Sequence, residues 1–115
     1  MDEIIEKALE FSNFSVTLNN QKRLLKEKCK EELNLFYQGG KFEVTKELLN
    51  FCWMLTSKNC ENTVIIDAND TPIEIQDVDD FTERLLQQYT DATNKYLNDY
   101  KELTKKRSIE GFVDV

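Results

Sequence analysis

The first 37 residues contain neither glycine nor proline, and their apolar residues recur every three or four positions with one step of seven. The members of this stripe are Ile4, Ala8, Phe11, Phe14, Leu18, Leu25, Cys29, Leu33 and Phe36. The pattern predicts a helix from Asp2 to Tyr37, about 54 Å long at roughly 1.5 Å per residue. Its weakest point is at Ser12, where short polar side chains compete for backbone hydrogen bonds. Gly39 and Gly40 end it.

A second long helix is predicted near the other end of the chain. Asp77 is well placed to cap it, and Val78–Leu103 carries apolar residues every three or four positions. The cations of Lys105–Arg107 are typical of a helix end. We expect this helix to be about 45 Å long at the same rise.

Shorter elements are predicted between the two helices. Lys41–Val44 alternates polar and apolar residues like a short strand. Thr45 can cap a helix over Lys46–Ser57, whose apolar residues lie on most sides and predict burial all round. Thr63–Asp67 and Pro72–Ile75 flank an Asn-Asp turn, which is typical of a β-hairpin. The first strand is a candidate third strand of the same sheet.

These elements predict an α+β fold in which two long amphipathic helices bracket a short buried helix and a small antiparallel hairpin or three-stranded sheet. Residues 1–107 form a single domain in this prediction, and residues 108–115 a short tail. A domain of this size has a radius of gyration of about 13 Å. Helices of 45–54 Å must therefore overhang it or pair with each other. We expect an antiparallel helical hairpin, a homodimer or a larger assembly.

Composition excludes several classes of function. The chain has no histidine, so Ser-His and Cys-His catalysis cannot occur within it. Its three cysteines form no Cys-x-x-Cys pair, which favours reduced thiols and a cytoplasmic location, with Cys29 and Cys52 as small hydrophobes. A net charge of −7 disfavours nucleic-acid binding, and we expect neither a signal peptide nor a membrane span. We expect no enzyme activity, metal or cofactor.

Three charged clusters each have a functional and a structural interpretation. Asp67–Thr71 resembles the start of a calcium loop, but Pro72 and Val78 stand where that loop needs glycine and glutamate. Local turn bonding is the favoured interpretation. Asp77–Glu83 is rich in carboxylates, which suit a hard cation or acid–base chemistry, but capping of a helix start is favoured. The basic residues of Lys22–Lys30 are interleaved with glutamates and predict a solvated, salt-bridged helix face.

Two groups of residues are candidates for binding a partner. The first lines one face of the last helix, where tyrosines are typical of a half-buried packing seam; it consists of Tyr89, Tyr96 and Tyr100. The second lies in the C-terminal tail, which either docks on a partner or folds back over the chain's own core. Its members are Ile109, Phe112, Val113 and Val115.

Four short motifs carry a resemblance to known proteins: Asp70–Ile75, Asp79–Phe81, Ala92–Tyr96 and Lys105–Glu110. Together with the order of elements, they resemble small proteins encoded by T4-like phages of marine cyanobacteria. The resemblance implies a virus-encoded accessory or structural protein, found in the host cytoplasm or the virion. It implies no functional residues.

The sequence thus predicts a non-enzymatic protein-interaction module, in particular a phage assembly or virion component, because it holds more amphipathic helix than 115 residues can bury. The alternative is a small regulatory adaptor that binds a replication or transcription protein through its apolar tail. The expected partner is another protein or a second copy of the chain.

Overall fold

The computed structural model describes residues 2–113, with side chains described for residues 2–106. The helices are α1 (Asp2–Glu32), α2 (Lys46–Ser57) and α3 (Val78–Val113). The strands are β1 (Asn34–Tyr37), β2 (Gly40–Glu43), β3 (Thr63–Ile66) and β4 (Pro72–Ile75). The predicted α+β fold is confirmed, with two long helices flanking a short one.

The chain divides into two compact units. The core unit consists of Lys30–Thr93, and the helical unit consists of α1 up to Cys29 together with α3 from Asn94 onward. Both long helices therefore contribute residues to both units.

The predicted C-terminal end of the first helix is wrong. The helix ends at Glu32, and β1 takes the place of its last residues. The side-chain amide of Asn34 donates to the carbonyl oxygens of Lys30 and Glu31 at 3.3 and 3.0 Å, which satisfies two carbonyls of the last turn. At the other suspected point, Ser12, the helix is uninterrupted.

A two-residue turn folds β2 back onto β1, with Tyr37 opposite Gly40. Gln38 and Gly39 both have positive φ, 48° and 82°, as the hairpin turns that match strand twist require. A Cβ added at Gly40 would lie 2.7 Å from Cγ1 of Ile73, so only glycine fits there without movement. Glycine thus serves the turn at one position and close packing at the next.

The predicted bounds of α2 are confirmed. The Thr45 hydroxyl accepts a hydrogen bond from the Leu48 amide at 3.1 Å. Beyond the helix Asn59 adopts a left-handed φ of 59°, a conformation typical of a helix C-terminus. The predicted burial on all sides is wrong, because α2 packs by one face: among its described residues Cys52 alone is buried, and Trp53 is 67% exposed.

The second hairpin is confirmed, with Thr63 opposite Ile75. The alternative of a three-stranded sheet is not realised among the described residues, since each hairpin is a separate two-stranded sheet. The two hairpins are nevertheless connected. The Ala68 amide donates to the Lys41 carbonyl at 2.8 Å, and the Lys41 amide donates to Oδ2 of Asp67 at 3.0 Å.

The centre of the core unit lies between the hairpins, α2 and the first turns of α3. Phe81 of α3 is fully buried, with its ring centroid 4.9 Å from that of Phe42 and 5.0 Å from that of Tyr37. Both ring pairs are inclined, as aromatic pairs prefer. The buried cluster consists of Phe42, Val44, Cys52, Ile75, Val78, Phe81 and Leu85.

In the helical unit, α1 and α3 contact each other near Lys22 and Tyr100. Nζ of Lys22 lies 5.3 Å from the ring centroid of Tyr100, within cation–π range. A groove of about 460 Å³ beside it is lined by Gln21, Leu24, Leu25, Lys28, Asp99, Glu102 and Leu103. The two long helices therefore contact each other in this unit, while the choice among a helical hairpin, a homodimer and a larger assembly stays a prediction.

Candidate protein-interaction surfaces

The N-terminal half of α1 exposes more large apolar side chains than any other helix segment of similar length among the described residues. We call residues 2–16 the α1 arm. Asp2 and Glu3 lie in its first turn, where acidic side chains favour a helix start. The exposed apolar residues of the arm are Ile4, Ile5, Leu9, Phe11 and Val16, with exposed fractions between 56% and 72%.

These side chains lie on two helical stripes. One stripe contains Ile4 and Phe11 and continues along α1 into half-buried Phe14 and Leu18, so the same sequence pattern is exposed at one end and covered at the other. The second stripe, which contains Leu9, is exposed throughout the arm and was not singled out from the sequence. Its members, Ile5, Leu9 and Val16, are spaced by four and seven residues.

The predicted tyrosine seam is divided between the two units. Tyr89 is half-buried and packs against the buried cluster of the core unit. Tyr96 and Tyr100 form an edge-to-face pair in the helical unit, with centroids 6.2 Å apart. The prediction that tyrosines form a half-buried packing seam agrees with these contacts, whereas their predicted role in binding a partner stays a prediction.

The predicted tail begins within a helix, because α3 continues past Arg107 to Val113. The expected helix end at Lys105–Arg107 is therefore wrong: cations favour a helix terminus but do not break the backbone hydrogen-bond ladder. The side chains proposed there for docking lie outside the described residues. They are Ile109, Phe112, Val113 and Val115.

Of the carboxylates at the start of α3, Asp77 caps the helix, as the favoured interpretation predicted, whereas Asp80 belongs to a polar cluster that was not predicted. Oδ1 of Asp77 accepts from the Asp80 amide at 3.0 Å. Oδ2 of Asp80 accepts from the Tyr37 hydroxyl at 2.9 Å and lies 3.7 Å from Nε of Arg84. Burial, reinforced by the bond to Asp80, raises the pKa of Tyr37. Across the part of the chain that the structure describes, no group of three or more His, Cys, Asp or Glu residues is placed to hold a metal ion.

Asp67 shapes the turn of the second hairpin, which confirms the favoured turn interpretation. Its Oδ1 accepts from the amides of Asn69 and Thr71, both at 2.9 Å. The bonds from the backbone amides of Lys41 and Thr71 lower the pKa of Asp67. The bond to Lys41, 26 residues away, ties the two hairpins together and was not foreseen from the sequence.

The prediction that Cys29 and Cys52 act as small hydrophobic residues agrees with their burial. Cys29 and Cys52 are buried and Cys60 is exposed. Burial raises the pKa of the Cys52 thiol. A buried thiol of raised pKa is a poor nucleophile, so Cys52 acts as a small hydrophobic residue.

No protein-family model, curated protein or solved structure matches this chain. Within residues 2–113, no helix combines the length and the apolar character that a membrane crossing requires.

Proposed function

We propose that the chain is a non-enzymatic protein-interaction module that binds its partner through the α1 arm. The observation that carries this proposal is the exposure of five large apolar side chains within fifteen helical residues of the arm. Isolated exposed apolar residues are normal, whereas a contiguous patch is typical of an interaction site.

Covering the arm gives a substantial driving force. Complete burial of a large apolar side chain contributes about 1.5–3 kcal/mol. Several such side chains on one helix therefore outweigh the cost of ordering their rotamers. An amphipathic helix of this kind docks by laying its apolar residues into a groove of the partner.

The net negative charge of the arm indicates which residues surround the groove of the partner. Acidic residues outnumber the one lysine, Lys7; they are Asp2, Glu3, Glu6 and Glu10. A partner with an apolar groove and basic residues at its rim complements both properties. The phage resemblance, taken with this proposal, makes the partner a virion or assembly protein.

The test compares two double variants of equal charge change. Ile5→Lys with Leu9→Lys places two charges in the exposed stripe, and we expect it to abolish partner binding. Asn13→Lys with Thr17→Lys adds the same charges with the same spacing at exposed polar positions of α1 and is the control. Circular dichroism checks that both variants keep their helix content.

The measurement is affinity capture from the native host with the C-terminus untagged, combined with molar mass by light scattering. Capture that survives Ile5→Lys with Leu9→Lys contradicts the proposal, as does a wild-type monomer that captures nothing. A deletion of Ser108–Val115 in the same experiment addresses the regulatory-adaptor alternative, because that alternative requires binding to be lost while the fold and the oligomeric state persist.

A further inference from the structure

The outer edge of β1 has unpartnered backbone groups. In the β1–β2 ladder the Val44 amide donates to the Leu33 carbonyl at 2.8 Å, so bonded pairs alternate from there through Leu35 opposite Phe42. The N–H and C=O groups of Asn34 and Phe36 therefore point away from β2. Among the described residues they have no backbone partner outside the hairpin.

The outer edge of β2 shows the same alternation of inward and outward backbone groups. Lys41 lies opposite Phe36, and its outward N–H and C=O are bonded to Asp67 and Ala68 of the second hairpin. One edge of the first hairpin is thus covered within the chain, while the β1 edge is open. An open edge with unpaired backbone groups is a template for another strand.

Both faces of the sheet beside the β1 edge are accessible. On the outer face the Phe36 side chain is 74% exposed. On the inner face a groove of about 420 Å³ lies between β1 and α3. It is lined by Leu35, Asp80, Glu83, Arg84, Gln87 and Gln88.

We propose that the β1 edge pairs with β1 of a second copy of this chain, in antiparallel orientation, to form a continuous sheet β2-β1-β1-β2. The two-fold axis passes at Leu35, so that Asn34 of each copy lies opposite Phe36 of the other. Residues opposed in this way exchange both of their N–H···O bonds. The edge is complementary to itself, which an isologous interface requires.

The side chains support the same occupant. With this register the two Phe36 rings become diagonal neighbours on the outer face, about 7–8 Å apart between Cα atoms and within reach of each other.

This proposal concerns the core unit and goes beyond the α1 arm, so the two are tested by different variants. Phe36→Pro removes one outward N–H and places a proline ring at the edge without removing a β1–β2 hydrogen bond. Val64→Pro is the matched control. Val64 is an exposed residue of β3. The Asp67 amide donates to the Thr71 carbonyl at 2.9 Å, so bonded pairs alternate from there and the N–H of Val64 also points away from its hairpin.

The first measurement is molar mass by sedimentation equilibrium. We expect wild type and Val64→Pro to have twice the 13.6 kDa of the monomer, and Phe36→Pro to have 13.6 kDa. We expect Ile5→Lys with Leu9→Lys to keep the dimer. A monomeric wild type overturns the proposal, as does a Val64→Pro variant that loses the dimer equally.

Disulfide trapping tests the β1–β1 register independently, including the case in which Phe36→Pro fails to fold. In a Cys60→Ser background, Leu35→Cys lies opposite itself across the two-fold axis at about 4.5 Å between Cα atoms, whereas Phe36→Cys is offset by two residues. We expect rapid intermolecular crosslinking of the first variant and little of the second. Random collision predicts the reverse order, since position 36 is more exposed, and that order overturns the proposal.

Discussion

The core unit and the helical unit share two helices but differ in how much they bury. In the core unit, two hairpins, α2 and the start of α3 meet around seven buried residues. Among the described residues of the helical unit, Cys29 alone is buried. Two helices lying side by side cover one narrow stripe of each, whereas elements approaching from several directions enclose whole side chains. The same amphipathic pattern therefore gives a core in one unit and an exposed surface in the other.

The largest expected effect contrasts two phenylalanines, one from each unit. Phe81→Ala removes a fully buried ring and we expect it to lower the free energy of unfolding by about 3–5 kcal/mol. Phe11→Ala removes a ring that is 62% exposed and should change it by no more than about 0.5 kcal/mol. Urea denaturation followed by circular dichroism measures both values. Equal losses would show that the α1 arm is buried in solution.

A smaller loss in the free energy of unfolding is expected at the contact between the two hairpins of the core unit. Gly40→Ala places a methyl group 2.7 Å from Cγ1 of Ile73, and overpacking of this kind costs about 1–3 kcal/mol. Gly39→Asn is the control, because a Cβ added at that position meets no atom within 4 Å and asparagine tolerates positive φ. The same urea experiment applies. A neutral Gly40→Ala variant would mean that the second hairpin can move away from the first.

A modest effect of pH is expected from Asp67, which connects the hairpins. Its pKa is lower in the folded chain than its ordinary value of 3.8, so its stabilising effect is complete above that pH and is lost as the pH falls through the folded value. The asparagine of Asp67→Asn cannot titrate, so the free energy of unfolding of this variant should fall less steeply with decreasing pH than that of the wild type. Denaturation midpoints measured between pH 5 and pH 3 test this, and parallel curves for the two proteins would contradict it.

The smallest effect is expected at Trp53, which the sequence places in a buried helix and the structure leaves 67% exposed. Trp53→Ala should change the free energy of unfolding by about 0.5 kcal/mol or less, as for other surface substitutions. Leu55→Ala, at a half-buried position packed against the core, is expected to cost more. Tryptophan fluorescence of the native protein gives a second check, since an exposed indole emits at long wavelength and a buried one does not.

Local patterns predicted much of the fold. Thr45 fixed the start of α2, and the Asn-Asp turn fixed the second hairpin, because caps and turns depend on a few neighbouring residues. Leu33 and Phe36 misled the prediction of α1. They continue the helical spacing, yet β1 forms because β2 is available to pair with it.

The candidate surfaces were less accessible to sequence reasoning. The periodicity of the α1 arm was visible, but periodicity predicts which residues share a stripe and not whether anything covers it. Which edge of the first hairpin is covered depends on the hydrogen bonds of Lys41, on β2, with Asp67 and Ala68, which are 26 and 27 residues away in the chain. Such contacts have no local signature.

The sequence by itself determined the element types of both long helices, the bounds of α2, the second hairpin and the caps at Thr45 and Asp77. Each of these depends on interactions within a few residues. The tertiary structure alone decided that Trp53 and the α1 arm are exposed, that Asp67 links the hairpins and that one edge of β1 is open. Burial and pairing of backbone groups depend on which distant elements meet, and that is set by the packing of the whole core.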